Sequence, residues 1–240
     1  DRARGIAPLR FRGSIMTRRM ILPALFGLSG VAILIWLGVW QLQRLEWKTA
    51  VLAQIATRLH DAPVGLPDQP REDLHQYLAV VVDGTLLPGE VHVLTSQTNR
   101  GPGYRVIQRL QTGNRIILID RGFIAQTLKT ADRPLVTARF EGNLLWPNEI
   151  DETFTPDPDL KAGIWFARDL PAIAAHLGAE QVLLVLRASN EAEQVVIPWP
   201  VNTEGVANNH FQYAMTWFSL AVIWLGMTGY LLWRIRQKLD

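Results

Sequence analysis

Aromatic and small residues recur at helical spacing after a single histidine near the C-terminal end of the chain. With 100° per residue, His210, Trp217 and Trp224 fall within about 40° of one another on a helical wheel, and Ala214 and Ala221 lie on the same side. This face offers one nitrogen ligand, two flat rings and small residues that leave room between them. The pattern therefore indicates a surface for a planar macrocycle such as haem, with His210 as the axial ligand of its iron.

The position of His210 within its predicted helix suits metal binding. Asn208 or Asn209 can cap the helix, which places His210 in the first turn. The positive end of the helix dipole disfavours the imidazolium form, keeps the ring neutral and favours anions such as carboxylates. Arg44 and Lys48 lie one turn apart on another predicted helix, and they are candidates to receive the propionate groups of a haem.

A second interpretation of the same residues requires no ligand. Tryptophan collects at both surfaces of a membrane, and Arg and Lys near helix ends extend their side chains toward the interface. Under this interpretation Trp217, Trp224, Arg44 and Lys48 are membrane anchors, and His210 is an interfacial residue. The residues alone leave both interpretations open.

Two uncharged apolar runs, residues 20–40 and 213–233, are the elements that must position these side chains. About 20 apolar residues cross the hydrocarbon core of a bilayer, so both runs are predicted to be transmembrane helices. Their length, lack of charge and flanking aromatic residues argue against the alternative of two buried helices in a soluble protein. Gly27, Gly30 and Gly38 form a stripe of small residues on the first helix, which predicts close packing of the two spans.

Basic residues gather on one side of the two predicted spans. Arg18 and Arg19 precede the first span and Arg234 and Arg236 follow the second, whereas residues 195–212 contain no Lys or Arg. The positive-inside rule therefore predicts that both termini are cytoplasmic. The predicted organisation is a cytoplasmic segment at 1–19, a span at 20–40, an outer domain at 41–212, a second span at 213–233 and a cytoplasmic tail at 234–240.

The N-terminal residues bear on the choice of membrane. Met16-Thr-Arg-Arg directly before the first span is typical of a bacterial start, which favours the bacterial inner membrane with a periplasmic outer domain. Residues 1–15 are rich in Arg and poor in acids, as a transit peptide is. The mitochondrial inner membrane is therefore the less favoured alternative, and it gives the same topology.

Composition excludes several classes of function. The 240 residues include no cysteine, which rules out disulfide scaffolds, thiol catalysis, zinc ribbons and c-type haem attachment. Residues 41–212 carry 15 basic and 20 acidic residues, a net charge of −5, so we expect no nucleic-acid partner. The region also lacks GxSxG, HExxH, Walker and GxGxxG motifs, and its histidines stand singly, so we expect neither an enzyme nor a metal site there.

The outer domain is predicted to be mainly antiparallel β-structure. A helix continues from the first span through residues 41–59, and short runs rich in Val, Ile and Leu follow, each bounded by turn residues. Asp169 as N-cap and Gly178 as stop delimit one short helix. The predicted strands are 77–87, 91–97, 104–111, 115–124, 135–145, 163–168 and 181–189. The fold class is thus a membrane protein whose two transmembrane α-helices flank an α+β outer domain, a sheet or small barrel.

Two polar or turn motifs in this domain admit structural explanations. Gly101-Pro-Gly-Tyr104 is interpreted as a turn that opens a strand. Asp120-Arg121 at a strand end is interpreted as a buried ion pair, which either stabilises the domain or organises a surface for a partner.

Four segments together resemble the surfeit-locus (Surf/Shy) family of cytochrome c oxidase assembly factors. They are Gly38-Val-Trp-Gln-Leu-Gln-Arg-Leu-Glu-Trp-Lys48, Gly101-Pro-Gly-Tyr104, Asp120-Arg-Gly-Phe-Ile124 and Asn208-Asn-His-Phe-Gln-Tyr-Ala-Met-Thr-Trp-Phe218. The resemblance runs from about residue 20 to residue 233. Phe123-Ile124-Ala125 departs from the Trp-Val/Ile-Pro of many members, and the acidic loop around Phe154-Thr-Pro156 matches loosely.

The resemblance implies a role in the maturation of the haem–copper subunit of the oxidase. It implies transient binding of haem a, with His210 at the position of the family histidine, and insertion of that haem into the catalytic subunit. The expected partners are this subunit and the lipid bilayer, with haem a synthase as a further candidate. The alternative is a scaffold that stabilises an oxidase intermediate and binds no cofactor.

Overall fold

The computed structural model describes residues 18–97, 100–193, 195–203 and 206–238. The chain forms two compact units, which are described separately below. The first, the helical unit, comprises Asp1–Val51 with Val206–Asp240, and the second, the barrel unit, comprises Leu52–Gly205. The features predicted for residues 1–15 lie outside the described residues.

Two long apolar helices, α1 (Arg18–His60) and α4 (His210–Gln237), build the helical unit. Both are long and apolar enough to cross a membrane, which agrees with the two predicted spans. Helix α1 runs without interruption far beyond its apolar part, as expected from the helical spacing of residues 41–59. Its last turns, residues 52–60, belong to the barrel unit.

The stripe of small residues on α1 is the surface on which α4 packs. Gly27 faces Thr228, Gly30 faces Trp224, and Gly38 faces Phe218. Residue numbers rise on one helix as they fall on the other, so the two helices are antiparallel. A Cβ at any of the three glycines would overlap the α4 side chain opposite it. The packing role predicted for these glycines is therefore confirmed.

A closed five-stranded barrel forms the centre of the second unit. Its strands pair in the order β2–β3–β4–β7–β5 and β5 returns to β2, so no edge is left open. All of these pairs are antiparallel except β4–β7. The strands of the barrel are β2 (Ala79–Gln97), β3 (Gly101–Thr112), β4 (Arg115–Ala125), β5 (Thr137–Leu145) and β7 (Leu183–Ser189). The prediction of a mainly antiparallel sheet or small barrel is confirmed.

Short elements complete this unit. Strands β1 (Val64–Gly65) and β6 (Ile164–Trp165) add to β2 in parallel. Helix α2 (Glu72–His75) and a single 3₁₀ turn (Gln126–Leu128) lie in the connections. Helix α3 (Leu170–Leu177) has the predicted signals: the Asp169 side chain accepts a hydrogen bond from the Ala172 N–H at 3.1 Å, and Gly178 ends the helix with a left-handed φ of 67°.

Two predicted strands merge into one in the structure. The runs 77–87 and 91–97 were expected to be separate, because Pro88-Gly89 resembles a turn. Instead β2 passes through both, with an irregular register between Leu87 and Glu90. Proline removes one ladder hydrogen bond, and Gly89 adopts a φ of 94°, so the chain bulges there and pairing resumes beyond it.

The core of the barrel unit has two layers, which β4 separates by strand alternation. Ile117 and Ile119 point into one cluster with Phe140, whereas Leu118 points into a second cluster that includes Ile173 of α3. All five side chains are fully buried. Each burial of this kind contributes about 1.5–3 kcal/mol, so the interior of the barrel and the contact with α3 both stabilise the unit.

Candidate functional site

His210 is the first residue of α4, and the turn that precedes it differs in detail from the prediction. Asn209 occupies the N-cap position, but its side chain makes no capping hydrogen bond. Only its carbonyl oxygen accepts, from the Tyr213 N–H at 3.1 Å. Asn208 does not cap the helix either, because its buried side-chain oxygen has no hydrogen-bond partner within the described residues. The expected side-chain cap is therefore wrong for both residues. Because the α4 N-terminus lacks that cap, its free N–H groups keep a positive partial charge beside His210.

The imidazole of His210 is held by a side chain of α1. Its Nδ1 atom lies 2.8 Å from Oε1 of Gln41. An amide oxygen can only accept a hydrogen bond, so Nδ1 carries the proton and Nε2 carries the free lone pair. Metal-binding histidines are usually oriented in this way by a hydrogen bond from the other ring nitrogen. The geometry therefore leaves Nε2 as the ring nitrogen that is available to a metal.

Gln41 is a candidate site residue that sequence reasoning missed. It lies three residues beyond Gly38, on the face of α1 that packs against α4. This continuation of the small-residue stripe is the signal that could have found it. Using that signal requires the register of the two helices, because Gln41 and His210 are 169 residues apart in the chain.

The predicted macrocycle face of α4 is the face that packs against α1. Ala214 is fully buried and Ala221 nearly so. The two alanines were expected to leave room for a ligand, but here they lie on the packed face, because small side chains let helices approach closely. A macrocycle ligated by His210 would therefore lie at the rim of this face, where the Trp217 and Trp224 rings are half-buried.

The two tryptophans of this face differ in their hydrogen bonding. The Trp224 indole N–H donates to the Gly27 carbonyl oxygen at 3.1 Å, and this bond fixes its ring between the helices. The Trp217 indole N–H is buried and has no hydrogen-bond partner within the described parts of the chain. An unpaired buried donor is costly. Trp217, two turns from His210, thus has a donor that the described residues do not use.

Arg44 and Lys48 lie on α1 near the start of α4, and each has a contact of its own. The Arg44 guanidinium stacks over the Trp47 ring, 4.4 Å from its centroid. Lys48 Nζ donates to the Ala207 carbonyl oxygen at 2.5 Å, three residues before His210. Lys48 retains two further donors and Arg44 remains exposed, so both can still bind a carboxylate. Binding of propionates by these residues stays a prediction.

Asp120 and Arg121 do not form the expected pair. Asp120 accepts from Arg105 Nε at 2.7 Å and from Arg168 at 3.4 Å, whereas Arg121 bonds Glu191 at 2.9 Å. Consecutive residues of β4 point to opposite faces, which separates the two side chains. Both are buried, so they cannot form a surface for a partner.

The charged clusters of the barrel unit pair largely among themselves, although Arg121 Nε and Glu191 Oε1 are buried without a hydrogen-bond partner in the described residues. Burial alone would raise the pKa of Glu149, but the hydrogen bonds and charge of Arg168 hold that pKa below its ordinary value. Burial would also raise the pKa of Glu90, but contacts with His92 and Arg133 lower it to about 2. In the described residues, no group of three or more His, Asp or Glu side chains could hold a metal ion.

Several apolar side chains between Ile150 and Phe166 of the barrel unit are exposed, and this stretch is called the apolar patch below. Phe154 is 82% exposed, and Ile150, Leu160 and Phe166 are exposed nearby in the sequence. The patch lies in and beside the acidic, proline-rich loop after β5, next to a cavity of about 120 Å³ that Trp165 helps to line. Exposed apolar patches of this kind commonly contact another protein.

Comparison with known proteins identifies the family of the chain. The family model described as SURF1 family matches residues 28–222. A SURF1-like protein of Rickettsia felis is 26% identical over 200 residues, which cover 79% of this chain and 88% of the relative. A SURF1-like protein of Drosophila melanogaster is 30% identical over 211 residues, and human Surfeit locus protein 1 is 27% identical over 213; each match covers 77% of this chain and 69% of the relative. The chain therefore belongs to the SURF1 family.

Proposed function

We propose that this protein is a membrane-embedded assembly factor for cytochrome c oxidase. It binds haem a through His210 and assists insertion of that haem into the catalytic haem–copper subunit. Haem a is the cargo of the protein. The protein makes and breaks no bonds of the haem, so in this proposal it is not an enzyme. The iron of the cargo requires an axial nitrogen ligand, and the residues around His210 supply one.

The hydrogen bond between His210 and Gln41 carries the proposal. It fixes the tautomer in which Nε2 holds the lone pair, and it limits rotation of the ring before any ligand binds. Pre-orientation lowers the entropy cost of binding the iron.

The unpaired donor of Trp217 supports the same assignment. A buried indole N–H without an acceptor is destabilising unless a bound group supplies one. The carbonyl or carboxylate oxygens at the periphery of a haem are acceptors of the required kind. Arg44 and Lys48 add positive charge near the same end of α4, where propionates would be attracted.

The barrel unit supplies docking in this proposal. Its charged clusters are buried and pair largely among themselves, whereas the patch around Phe154 is apolar and exposed. The oxidase subunit is the partner expected there, with haem a synthase as a second candidate on the supply side. Positive charge at the cytoplasmic ends of the spans would orient this unit toward the periplasm of a bacterial inner membrane.

Haem binding by the full-length chain, purified from cells that make haem a, tests the proposal. His210→Ala should remove the haem absorption bands, because it deletes the iron ligand, whereas His176→Ala on α3 is a matched control that should keep them. Full haem occupancy with an unchanged spectrum in His210→Ala would contradict the site. Stoichiometric haem on residues 52–205 alone would place the site elsewhere.

A cofactor-free scaffold is the second candidate function, and the extensive packing of the α4 face against α1 favours it. In that case the chain purifies without haem, and His210→Ala still supports oxidase maturation. The two functions are thus separated by measuring haem content and oxidase activity in the same set of variants.

A further inference from the structure

An apolar groove opens between α1 and α4 at the end of the pair opposite His210. It has a volume of about 720 Å³, and the side chains around it are almost entirely apolar. The lining residues include Leu22, Phe26, Trp224, Met227, Tyr230 and Leu231. Beyond the groove the helices are in direct contact, because a Cβ on Gly30 would overlap the Trp224 indole. The groove is therefore confined to the end of the pair that carries the N-terminus of α1 and the C-terminus of α4.

The length of the groove corresponds to one leaflet of a bilayer. Its α4 wall runs from Trp224 to Leu231, which is seven residues or about 10 Å at 1.5 Å per residue. Half of the ~30 Å hydrocarbon core is about 15 Å. The groove thus fits within a single leaflet, which is the cytoplasmic one in the predicted topology.

Arginine residues extend both walls of the groove toward the membrane surface. Arg19 lies three residues before Leu22 on α1, and Arg234 lies three residues after Leu231 on α4. Residues three or four positions apart share a helix face, so each arginine continues the face that lines the groove. Gly27 faces Thr228, and eight and six residues separate these two from Arg19 and Arg234. The two arginines therefore lie at a similar depth.

The positive charge at this end of the pair is not neutralised within the described residues. The side chains of Arg19 and Arg234 are exposed, and neither belongs to an ion pair of the described part of the chain. Helix α4 contains no acidic residue, and the first one in α1 is Glu46. An apolar groove thus ends at two unpaired guanidinium groups.

We propose that this groove binds one anionic phospholipid, with an acyl chain between the helices and the head group at Arg19 and Arg234. The apolar walls remove the acyl chain from competing contacts, and guanidinium groups donate hydrogen bonds to phosphate oxygens. Basic pockets between transmembrane helices on the cytoplasmic side recognise anionic head groups by the same combination. The site lies at the far end of the pair from His210, so this inference goes beyond the proposed function and needs no haem.

Native mass spectrometry of the detergent-solubilised full-length chain, titrated with dioleoyl phosphatidylglycerol or dioleoyl phosphatidylcholine, tests the head-group contact. We expect phosphatidylglycerol to bind more tightly. Arg19→Gln combined with Arg234→Gln should weaken phosphatidylglycerol binding about tenfold, as expected from the loss of two exposed charge contacts, and should leave phosphatidylcholine binding unchanged. Arg100→Gln combined with Arg139→Gln removes the same charge from exposed positions of the barrel unit and is the matched control.

A second variant tests the acyl-chain contact. Met227→Trp places a larger side chain in the groove and should weaken phosphatidylglycerol binding about tenfold, because contact with roughly two methylene groups is worth that much. Val222→Trp is the matched control, since Val222 is exposed and lies outside the groove.

The outcomes bear on the lipid site alone. Equal affinities for the two lipids, or an unchanged phosphatidylglycerol affinity in the double arginine variant, would overturn the inference and leave the arginines as topology signals only. An unchanged affinity in Met227→Trp would also overturn it, because the acyl chain would then lie outside the groove. None of these titrations contains haem, so their results are independent of the His210→Ala experiment.

Discussion

Polar side chains differ in how completely they are hydrogen-bonded in the two units of the molecule. In the barrel unit, the buried carboxylate of Asp120 accepts hydrogen bonds from Arg105, Arg168 and the Gly122 backbone. In the helical unit, the ring of His210 uses one nitrogen on Gln41 and leaves the other nitrogen free. A saturated cluster stabilises its fold, whereas an oriented but incomplete one is able to bind a ligand.

The comparison also explains why abundance of charge is a poor guide to the site. The barrel unit holds nearly all of the ion pairs of the described residues, yet these pairs neutralise one another. The helical unit offers few polar atoms, and those few matter more because water is scarce inside a membrane. An unpaired donor or acceptor there has no solvent to compensate it.

The largest expected effect is on the stability of the barrel unit when the Asp120 cluster is disrupted. Asp120→Ala leaves the guanidinium groups of Arg105 and Arg168 without their shared buried carboxylate. Removal of one partner from a buried pair costs about 3–5 kcal/mol, so the free energy of unfolding should fall by that amount. Denaturant unfolding of the full-length chain, followed by near-UV circular dichroism, measures it.

The matched control for this variant is Asp83→Ala, which removes an exposed carboxylate from β2 and should change stability by less than about 0.5 kcal/mol. An equal loss in both variants would mean that the Asp120 cluster is not specifically stabilising.

A smaller effect is expected from Gln41→Leu in the helical unit. The substitution removes the acceptor that orients His210 but keeps the iron ligand and a side chain of similar size. Loss of such an orienting partner typically lowers metal affinity by about 10–100-fold, so haem should bind more weakly without being abolished. Absorption titration gives the affinity, and Gln43→Leu, two residues away on the exposed side of α1, is the control.

Haem affinity unchanged in Gln41→Leu would show that the hydrogen bond to His210 has no role in binding. Complete loss of haem, equal to that in His210→Ala, would show instead that Gln41 does more than orient the ring.

The smallest effect is expected from Arg44→Ala combined with Lys48→Ala. Each contact of an exposed charge with a carboxylate is worth about 1 kcal/mol or less, so haem retention should fall less than on loss of His210. The deficit should shrink as salt is raised, because salt screens the native contact. Full retention at every ionic strength would leave these residues as membrane anchors.

Much of the architecture is predictable because it depends on short-range pattern. The uncharged runs at 20–40 and 213–233 predict spanning helices, since the length of an apolar run sets whether a helix can cross a bilayer. Alternation and turn residues predict the strands of the barrel, with an error at Pro88-Gly89, where β2 continues through a bulge. Pairing with β3 on both sides of the bulge outweighs the local turn preference there.

The site was predictable in its residue types and less so in its contacts. Helical spacing alone places His210, Trp217 and Trp224 on one face, and the resemblance to the surfeit-locus family selects His210 from the histidines. That face is also the most favourable one for packing, because Ala214 and Ala221 are small. A helical wheel drawn for α4 alone could not show that α1 packs against this face.

Hydropathy and periodicity within short segments are enough to predict the two apolar helices, the mainly antiparallel domain between them and the placement of His210 in the first turn of α4. The contact between Gln41 and His210, and the separate ion pairs of Asp120 and Arg121, became visible only in the folded chain. The apolar groove beside Trp224 likewise became visible only there. Each of these depends on the register between elements far apart in the chain, and packing of whole surfaces sets that register.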